Sequence, residues 1–189
     1  GKSTLARSLV QLARPTAGEI LLDGISVHGN DPLIQRQARR RIQLIFQDPG
    51  TSLSPRRTIA QTLREPARHF GLDDSDAHLG AVLKAVGLDS SALGRQPREF
   101  SSGQRQRIAI ARALVCEPDL LVADEALAAL DVSVQAQVMA LLRGLCKERA
   151  MGILLISHDL ALLRENAQWL SVMYRGRIVE QGRAGQVFQ

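Results

Sequence analysis

The sequence predicts an α/β fold in which helices pack on a largely parallel, open sheet. Two short apolar segments, residues 120–123 and 152–156, are typical of buried strands, and polar residues follow each of them directly. Segments with helical spacing precede and separate these strands, so strands and helices alternate along the chain. Because open parallel sheets bind ligands at the carboxyl ends of their strands, the polar residues at these two ends are candidate site residues.

Composition limits the classes of protein to which the chain can belong. Its 189 residues allow one domain, or one domain with a subdomain, and the 3% aromatic content predicts an aliphatic core. No apolar run approaches the roughly 20 residues of a membrane-spanning helix. The net charge of +5 would suit nucleic acid or an anionic membrane face, but we favour an arginine-rich solvated surface. Cys116 and Cys146 lack metal-ligand spacing and indicate reduced thiols.

The chain opens with Gly1-Lys2-Ser3-Thr4, the end of the phosphate-binding pattern G-x-x-x-x-G-K-[ST]. In such a loop Lys2 reaches the β- and γ-phosphates and the Ser3 hydroxyl coordinates Mg²⁺. The N–H groups around Gly1 and Thr4 would face phosphate at a helix N-terminus, and helical spacing does follow. A chance match at an ordinary helix start is the alternative. Since the first glycine of the pattern and the strand before it are missing, we expect a fragment or the product of a broken gene.

The remaining elements are predicted from apolar periodicity and from glycine, proline and capping residues. Strands are expected at residues 18–27 (a pair around an Asp23-Gly24 turn), 41–46, 120–123, 152–156, 170–174 and 177–180, the last two around an Arg175-Gly176 turn. Helices are expected after residue 4, from 58 to about 64 with Pro66 as the stop, at 75–86 between Ser75 as N-cap and a terminal Gly87, at about 102–115, and at about 132–147. Residues 48–57 are predicted to form a loop.

Three strand ends carry side chains suited to phosphate chemistry. Asp124 would bind Mg²⁺, since hard cations take oxygen ligands, and Glu125 would act on an attacking water. His158 would contact the γ-phosphate or the water, and the Gln47 amide would touch Mg²⁺ or water. The alternatives are an acidic turn, a structural histidine and an ordinary polar strand end.

Residues 100–107, Phe-Ser-Ser-Gly-Gln-Arg-Gln-Arg, form a further motif. Ser101 is a good N-cap, and the residues behind it have helical spacing. The segment is either a well-capped amphipathic helix or a second anion-binding helix N-terminus, offered to a nucleotide that another subunit holds.

In this order, the motifs resemble those of the nucleotide-binding subunit of ATP-binding-cassette (ABC) transporters. The matching motifs are GKST, Gln47 as the Q-loop, residues 101–104 as the signature, Asp124-Glu125 as Walker B, residues 129–131 as the D-loop, and His158 as the switch histidine. The resemblance covers essentially the whole chain. It implies a P-loop NTPase (RecA-like) fold with a mainly parallel sheet core, an inserted helical subdomain, and an N-terminal β part that the sequence lacks.

The resemblance also assigns regions and roles. It implies one nucleotide-binding domain over residues 1–189, with a catalytic α/β core at 1–47 and 116–189 and a helical subdomain that carries the signature at 48–115. The residues expected to bind ATP are Gly1, Lys2, Ser3, Thr4, Gln47, Asp131 and the signature residues Ser101, Ser102, Gly103 and Gln104, the last four acting on a partner's nucleotide. The Mg²⁺ ligands would be Ser3, Gln47 and Asp124; Glu125 and His158 would be catalytic.

Residues 46–49 and 130–137 resemble, within this family, the oligopeptide/dipeptide/nickel importer branch. That branch implies a second cassette subunit, identical or not, transmembrane permease subunits above the pair, and an extracytoplasmic solute-binding protein. It implies a peripheral position on the cytoplasmic face of the inner membrane, peptides or nickel as cargo, and no nucleic-acid partner. Nothing in the 189 residues identifies the cargo.

Three departures from the family pattern keep an inactive remnant or regulator open as the alternative. Ser102 stands where the family has glycine, Ala126 and Ala128 replace a usual proline and serine, and the start of the phosphate loop is missing. We therefore expect residues 1–189 alone to be poorly folded or inert. An ABC-type ATPase of DNA repair or chromosome structure is disfavoured. Such proteins usually insert a coiled coil or zinc module between Q-loop and signature, whereas here only 53 residues, with no cysteine pair, separate Gln47 from Ser101. A nucleotide kinase is also disfavoured, because that function does not account for the helix that begins at residues 101–104.

Overall fold

The computed structural model describes residues 1–29, 31–46 and 53–189, so Gln47 lies outside the described residues. The helices are α1 Lys2–Leu9, α2 Pro32–Arg41, α3 Ile59–Phe70, α4 Asp76–Ala85, α5 Ser102–Leu114, α6 Val132–Glu148, α7 Leu160–Asn166 and α8 Ala184–Val187. The strands are β1 Leu21–Leu22, β2 Ile25–Ser26, β3 Ile42–Ile45, β4 Leu120–Asp124, β5 Gly152–Ile156, β6 Trp169–Tyr174 and β7 Arg177–Arg183. Two short 3₁₀ helices, Ser90–Gly94 and Pro97–Glu99, join α4 to α5.

The central sheet has the strand order β3-β4-β5, and both pairs are parallel. Its register places Ile45 beside Ala123 and Asp124 beside Ile156. The three strands therefore end at the same edge of the sheet. The predicted α/β fold with a largely parallel sheet is confirmed.

Both predicted hairpins are present as antiparallel pairs, β1 with β2 and β6 with β7. In the first turn Asp23 and Gly24 have φ values of 52° and 79°, and in the second Arg175 and Gly176 have 48° and 81°. Two successive positive φ values are the geometry of the tight turn that matches strand twist, which explains the glycine at the second position of each.

Successive side chains of β4 point to opposite faces of the sheet, and each face has its own core. Val122 packs with Ala6 of α1 and with Ile42 and Ile156 on one face. On the other face, Leu121 and Ala123 join the larger core, which also contains the buried side chains of α3, α4, α5 and α6. The sheet is thus held between α1 and the helical part of the chain.

The prediction that Pro66 stops a helix near Arg64 is wrong, because α3 continues to Phe70. An interior proline removes one helical hydrogen bond and costs about 3 kcal/mol. Tertiary packing offsets this cost, since α3 buries Ile59, Thr62, Leu63 and Ala67. A capping box at Thr58 and the left-handed Gly71 fix the two ends of the helix.

Helix α2 was not expected from periodicity, although its start carries local signals. Asp31 is the N-cap and accepts a hydrogen bond from the Leu33 N–H at 2.8 Å, and Pro32 occupies the first helical position. The arginines of its last turn form ion pairs, Arg40 with Glu117 at 2.8 Å and Arg41 with both Asp23 and Asp119. These pairs tie α2 to the β1–β2 turn and to the start of β4.

Helix α4 has the predicted ends: Ser75 accepts a hydrogen bond from the His78 N–H, and Gly87 follows with φ 74°. Among the described residues, no helix is long and apolar enough to cross a membrane.

Candidate functional site

The carboxyl ends of β4 and β5 lie side by side and carry the acidic residues and the histidine. Asp124 is the last residue of β4, and the Glu125 N–H donates to the Ile156 carbonyl at 2.9 Å. His158 follows β5 by two residues and comes within hydrogen-bond distance of Glu125, with 3.3 Å between Nδ1 and Oε1. The structure therefore brings Asp124, Glu125 and His158 to one edge of the sheet, as the strand pattern predicts.

Glu125 has a left-handed backbone, with φ at +50°. Left-handed residues other than glycine are uncommon and cost on the order of 1–3 kcal/mol, and such strain concentrates at functional sites. Both backbone groups of Glu125 are hydrogen-bonded: its N–H donates to the Ile156 carbonyl, and its carbonyl accepts from the Ala128 N–H at 3.0 Å. A cavity of about 150 Å³, lined by Glu125 and His158, adjoins the pair. It is large enough for a few water molecules.

Asp124 has the properties of a cation ligand. Its Oδ1 is buried and has no hydrogen-bond partner among the described residues. A buried carboxylate oxygen without a partner is costly unless a cation or a proton donor completes it. Among the described residues, no group of three or more His, Cys, Asp or Glu could hold a metal ion. One unpartnered carboxylate oxygen fits Mg²⁺, which binds few carboxylates and takes its other ligands from water and phosphate.

The predicted phosphate-binding residues form the start of α1. Gly1 is the N-cap, Lys2, Ser3 and Thr4 fill the first turn, and all four are exposed. The N–H groups of a first helical turn have no partner within the helix, and this turn contains no acidic residue. Lys2 lines a cavity of about 880 Å³ together with Ile156 and Ser157. The start of α1 therefore lies near the carboxyl end of β5.

The same cavity separates β5 from the β6–β7 hairpin. Strand β5 pairs with β4 on one side, and on its other side it pairs with no strand of the described chain. The cavity is lined mainly by apolar side chains, among them Leu5, Met139, Leu155 and Trp169.

The signature segment forms the predicted capped helix. Ser101 Oγ accepts a hydrogen bond from the Gln104 N–H at 3.3 Å, and Gln104 Oε1 accepts one from the Ser101 N–H at 3.0 Å. Ser102 is exposed at the first position of α5, whereas Gly103 is buried. Within the described chain, no hydrogen bond or ion pair joins this turn to Glu125 or His158. The two predicted site regions therefore have no direct polar contact in the described chain.

Asp131 caps helix α6. Its Oδ1 accepts hydrogen bonds from the Val134 N–H at 3.0 Å and from the Ser133 hydroxyl at 2.8 Å. The Val134 N–H, followed by the Ser133 hydroxyl, holds the pKa of Asp131 below its ordinary value. This carboxylate is therefore ionised and is engaged within its own helix start.

Sequence reasoning missed two features of the site. No sequence pattern predicts the left-handed backbone of Glu125, because glutamate is not a residue type that typically adopts this conformation. The burial of Gly103 against α6 was also missed, because a glycine in a phosphate-type motif predicts approach to a ligand rather than to a neighbouring helix.

A parallel sheet with a phosphate-type helix start and an acidic residue at a strand end defines a nucleotide-binding domain of the P-loop class. The chain belongs to the ABC transporter family, whose model matches residues 1–128. The family predicted from the motifs is thereby confirmed.

Among curated proteins, the chain is 48% identical over 183 residues to a putative peptide import ATP-binding protein of Brucella ovis, a match that covers 95% of this chain and 58% of the relative. The chain spans about half the length of the curated relatives it matches, from 52% to 58%.

Solved structures agree with the fold. The chain resembles cbiO1 from Clostridium perfringens, described as part of the ABC transporter complex cbiONQ, with a TM-score of 0.88, 29% identity, and coverage of 100% of this chain and 74% of that one. It also resembles a dimeric post-hydrolysis state of the ATP-binding cassette MJ0796 bound to ADP and Pi, with a TM-score of 0.80, 26% identity, and coverage of 97% and 81%.

Proposed function

We propose that this chain is the ATP-binding and ATP-hydrolysing subunit of an ABC importer, with peptides as the leading cargo class and nickel as the alternative. The observation that carries the proposal is the Glu125–His158 pair beside Asp124, whose buried Oδ1 has no hydrogen-bond partner among the described residues. Family membership supports nucleotide binding, and the name of the Brucella relative supports peptides.

ATP would bind at the start of α1. The unpaired N–H groups of the first turn and the Lys2 ammonium present positive charge to phosphates. The Ser3 hydroxyl, the Asp124 carboxylate and the Gln47 amide would hold Mg²⁺, which neutralises phosphate charge when it is bound. The buried Asp124 oxygen supports this assignment.

Hydrolysis would depend on Glu125 and His158. A carboxylate only accepts hydrogen bonds, so in this pair the hydrogen lies on Nδ1 of His158. The histidine thereby orients Glu125, leaving one carboxylate oxygen for a water in the adjoining cavity. His158 would also lie close to the transferring phosphoryl group in this assignment. Positioning and electrostatics would supply most of the rate enhancement, as in other phosphoryl transfers.

A second cassette subunit would complete each ATP site. Ser102 and Gln104 at the start of α5 are exposed, and this exposure supports its use by a nucleotide bound to the partner. The dimeric cassette with ADP and Pi is a solved precedent for such a pair. Ser102 lies at this surface, where its side chain would meet the γ-phosphate.

Permease subunits are the further partners that we propose, with a solute-binding protein acting through them. A cavity of about 400 Å³ is lined by Phe46, the residue before Gln47 in the sequence, and by Pro66, Phe70 and Ala109 among others. Its position between β3 and the helices α3 and α5 suits a contact that senses both proposed subdomains, 1–47 with 116–189 and 48–115. We place the protein at the cytoplasmic face of the membrane, without nucleic acid as a partner.

The test is ATP hydrolysis by the protein as its host makes it, assembled with its partner subunits. We expect Glu125→Gln to lower kcat by at least about 100-fold, the range of general-base catalysis. If the unsubstituted assembly hydrolyses ATP no faster than Glu125→Gln, the chain is instead an inactive remnant or regulator. The serine at position 102, where the family has glycine, is the feature that favours this alternative.

A further inference from the structure

Helices α5 and α6 begin next to each other, and one glycine makes this possible. A Cβ atom placed on Gly103 would lie 2.7 Å from Cγ1 of Val134, a distance that real Cβ atoms essentially never show. Gly103 is buried, while Ser102 and Gln104 on either side of it are exposed. The signature turn therefore packs on α6 through the one residue that has no side chain.

Val134 has little freedom to move away from this contact. Its N–H is held by the Asp131 carboxylate at 3.0 Å, which fixes the first turn of α6. Valine is branched at Cβ and has one strongly preferred rotamer in a helix. A larger residue at position 103 would therefore displace a helix start rather than a flexible side chain.

The next residue connects α6 to the segment that follows Glu125. Gln135 Nε2 donates to the Leu127 carbonyl at 3.0 Å, and one residue later the Ala128 N–H donates to the Glu125 carbonyl at 3.0 Å. One helical turn thus contacts the signature turn through Val134 and the Glu125 turn through Gln135.

We propose that the first turn of α6 is a rigid coupler between the signature turn and the Glu125 turn of the same chain, with Gly103, Val134 and Gln135 as positioning residues. The inference rests on the proposed function. There the signature turn serves the partner's nucleotide and Glu125 serves the chain's own, so the coupler fixes the position of one turn relative to the other.

The first experiment is a double-mutant cycle in the assembled transporter. We expect Gly103→Ala to lower kcat by at least about 10-fold, since a misplacement of about 1 Å can cost far more than that. Val134→Ala in the same chain removes the clashing Cγ1 and restores most of kcat and of the melting temperature. Gly144→Ala, also on α6 but with no atom within 4 Å of the added Cβ, is the matched control and should leave kcat unchanged and raise the melting temperature slightly.

A second variant tests the other end of the coupler. Gln135→Met keeps the side-chain length but removes the donor to Leu127, so we expect a lower kcat with an unchanged KM for ATP. A kcat equal to that of the unsubstituted protein would overturn the role of Gln135, whether or not the KM for ATP changes.

Two results would overturn the proposal: a Gly103→Ala variant as active and stable as Gly144→Ala, or a loss of kcat that Val134→Ala does not restore. The latter would mean that Gly103 acts only by contact with phosphate. An unsubstituted assembly without ATPase activity would instead refute the proposed function. The melting temperatures of the cycle would still test the Gly103–Val134 contact in that case.

Discussion

Glu125 and His158 form a hydrogen bond between Oε1 and Nδ1 at 3.3 Å, across the ends of two parallel strands. The Glu125 side chain is 28% exposed and that of His158 is 69% exposed, so the pair borders solvent. The backbone of Glu125 is left-handed, and the Ile156 carbonyl and the Ala128 N–H hold it in place. The backbone therefore fixes where the Glu125 side chain begins, and the contact with His158 orients its carboxylate.

His158 variants test this pair. The amide NH₂ of asparagine occupies nearly the position of Nδ1, so His158→Asn keeps the donor to Glu125, whereas His158→Ala loses it. If the proposed mechanism holds, His158→Ala lowers kcat by about 100-fold and His158→Asn retains more of it. Steady-state kinetics decide, and equal losses for the two variants would count against an orienting role of Nδ1.

Asp124→Asn should change stability in opposite directions with and without Mg-ATP. The buried Oδ1 of Asp124 has no described hydrogen-bond partner, so removing its charge in the absence of Mg²⁺ should stabilise the protein by about 1 kcal/mol. Adding Mg-ATP should raise the melting temperature of the unsubstituted protein more than that of the variant, because the unsubstituted protein binds the ligand more tightly. Thermal unfolding with and without Mg-ATP measures both effects. Equal gains would exclude Asp124 as the cation ligand.

Ser102→Gly tests the departure in the signature turn. The serine is exposed at the first position of α5, where a side chain would crowd a partner's γ-phosphate. We expect the glycine variant to hydrolyse ATP faster, with a stability loss of up to about 1 kcal/mol from the flexible backbone. The ATPase rate of the assembled complex is the measurement, and an unchanged rate would remove Ser102 as a cause of slow turnover.

Asp131→Asn should remove an acid-sensitive part of the stability. The pKa of Asp131 is lowered in the folded state by the Val134 N–H and the Ser133 hydroxyl. Its contribution is therefore complete above the unfolded pKa of about 3.9 and is lost as the pH falls through the lower folded value. Melting temperatures between about pH 6 and pH 3 should fall further for the unsubstituted protein than for Asp131→Asn, since asparagine also caps helices. Parallel curves would contradict the prediction.

Gln106→Met should stabilise the protein. Gln106 is 1% exposed, and neither atom of its amide has a hydrogen-bond partner among the described residues. Methionine has a similar shape and no such groups, so we expect a gain of about 1–3 kcal/mol in the free energy of unfolding. Chemical denaturation measures it, with Gln181→Met at an exposed position of β7 as the control. A loss of stability would mean that the amide has a partner in the folded protein.

Local signals predicted much of this fold because their causes are local. The Asp23-Gly24 turn, the Ser75 cap and the Ser101–Gln104 capping box depend on residues within four positions of each other. The edge that carries Asp124 and His158 was predictable as well, because parallel strands end together. Pro66 was misread because the burial of α3, which offsets its cost, depends on distant residues.

The sequence by itself determined the order of the strands and of the longer helices apart from α2, the family, and the residue types available for nucleotide chemistry, since each depends on a short pattern. Only the tertiary structure decided that Glu125 takes a left-handed backbone, that Gly103 packs on Val134, and that Asp124 Oδ1 is left without a described partner. These properties arise where segments far apart in the chain meet, and no local pattern records which atoms will be neighbours there.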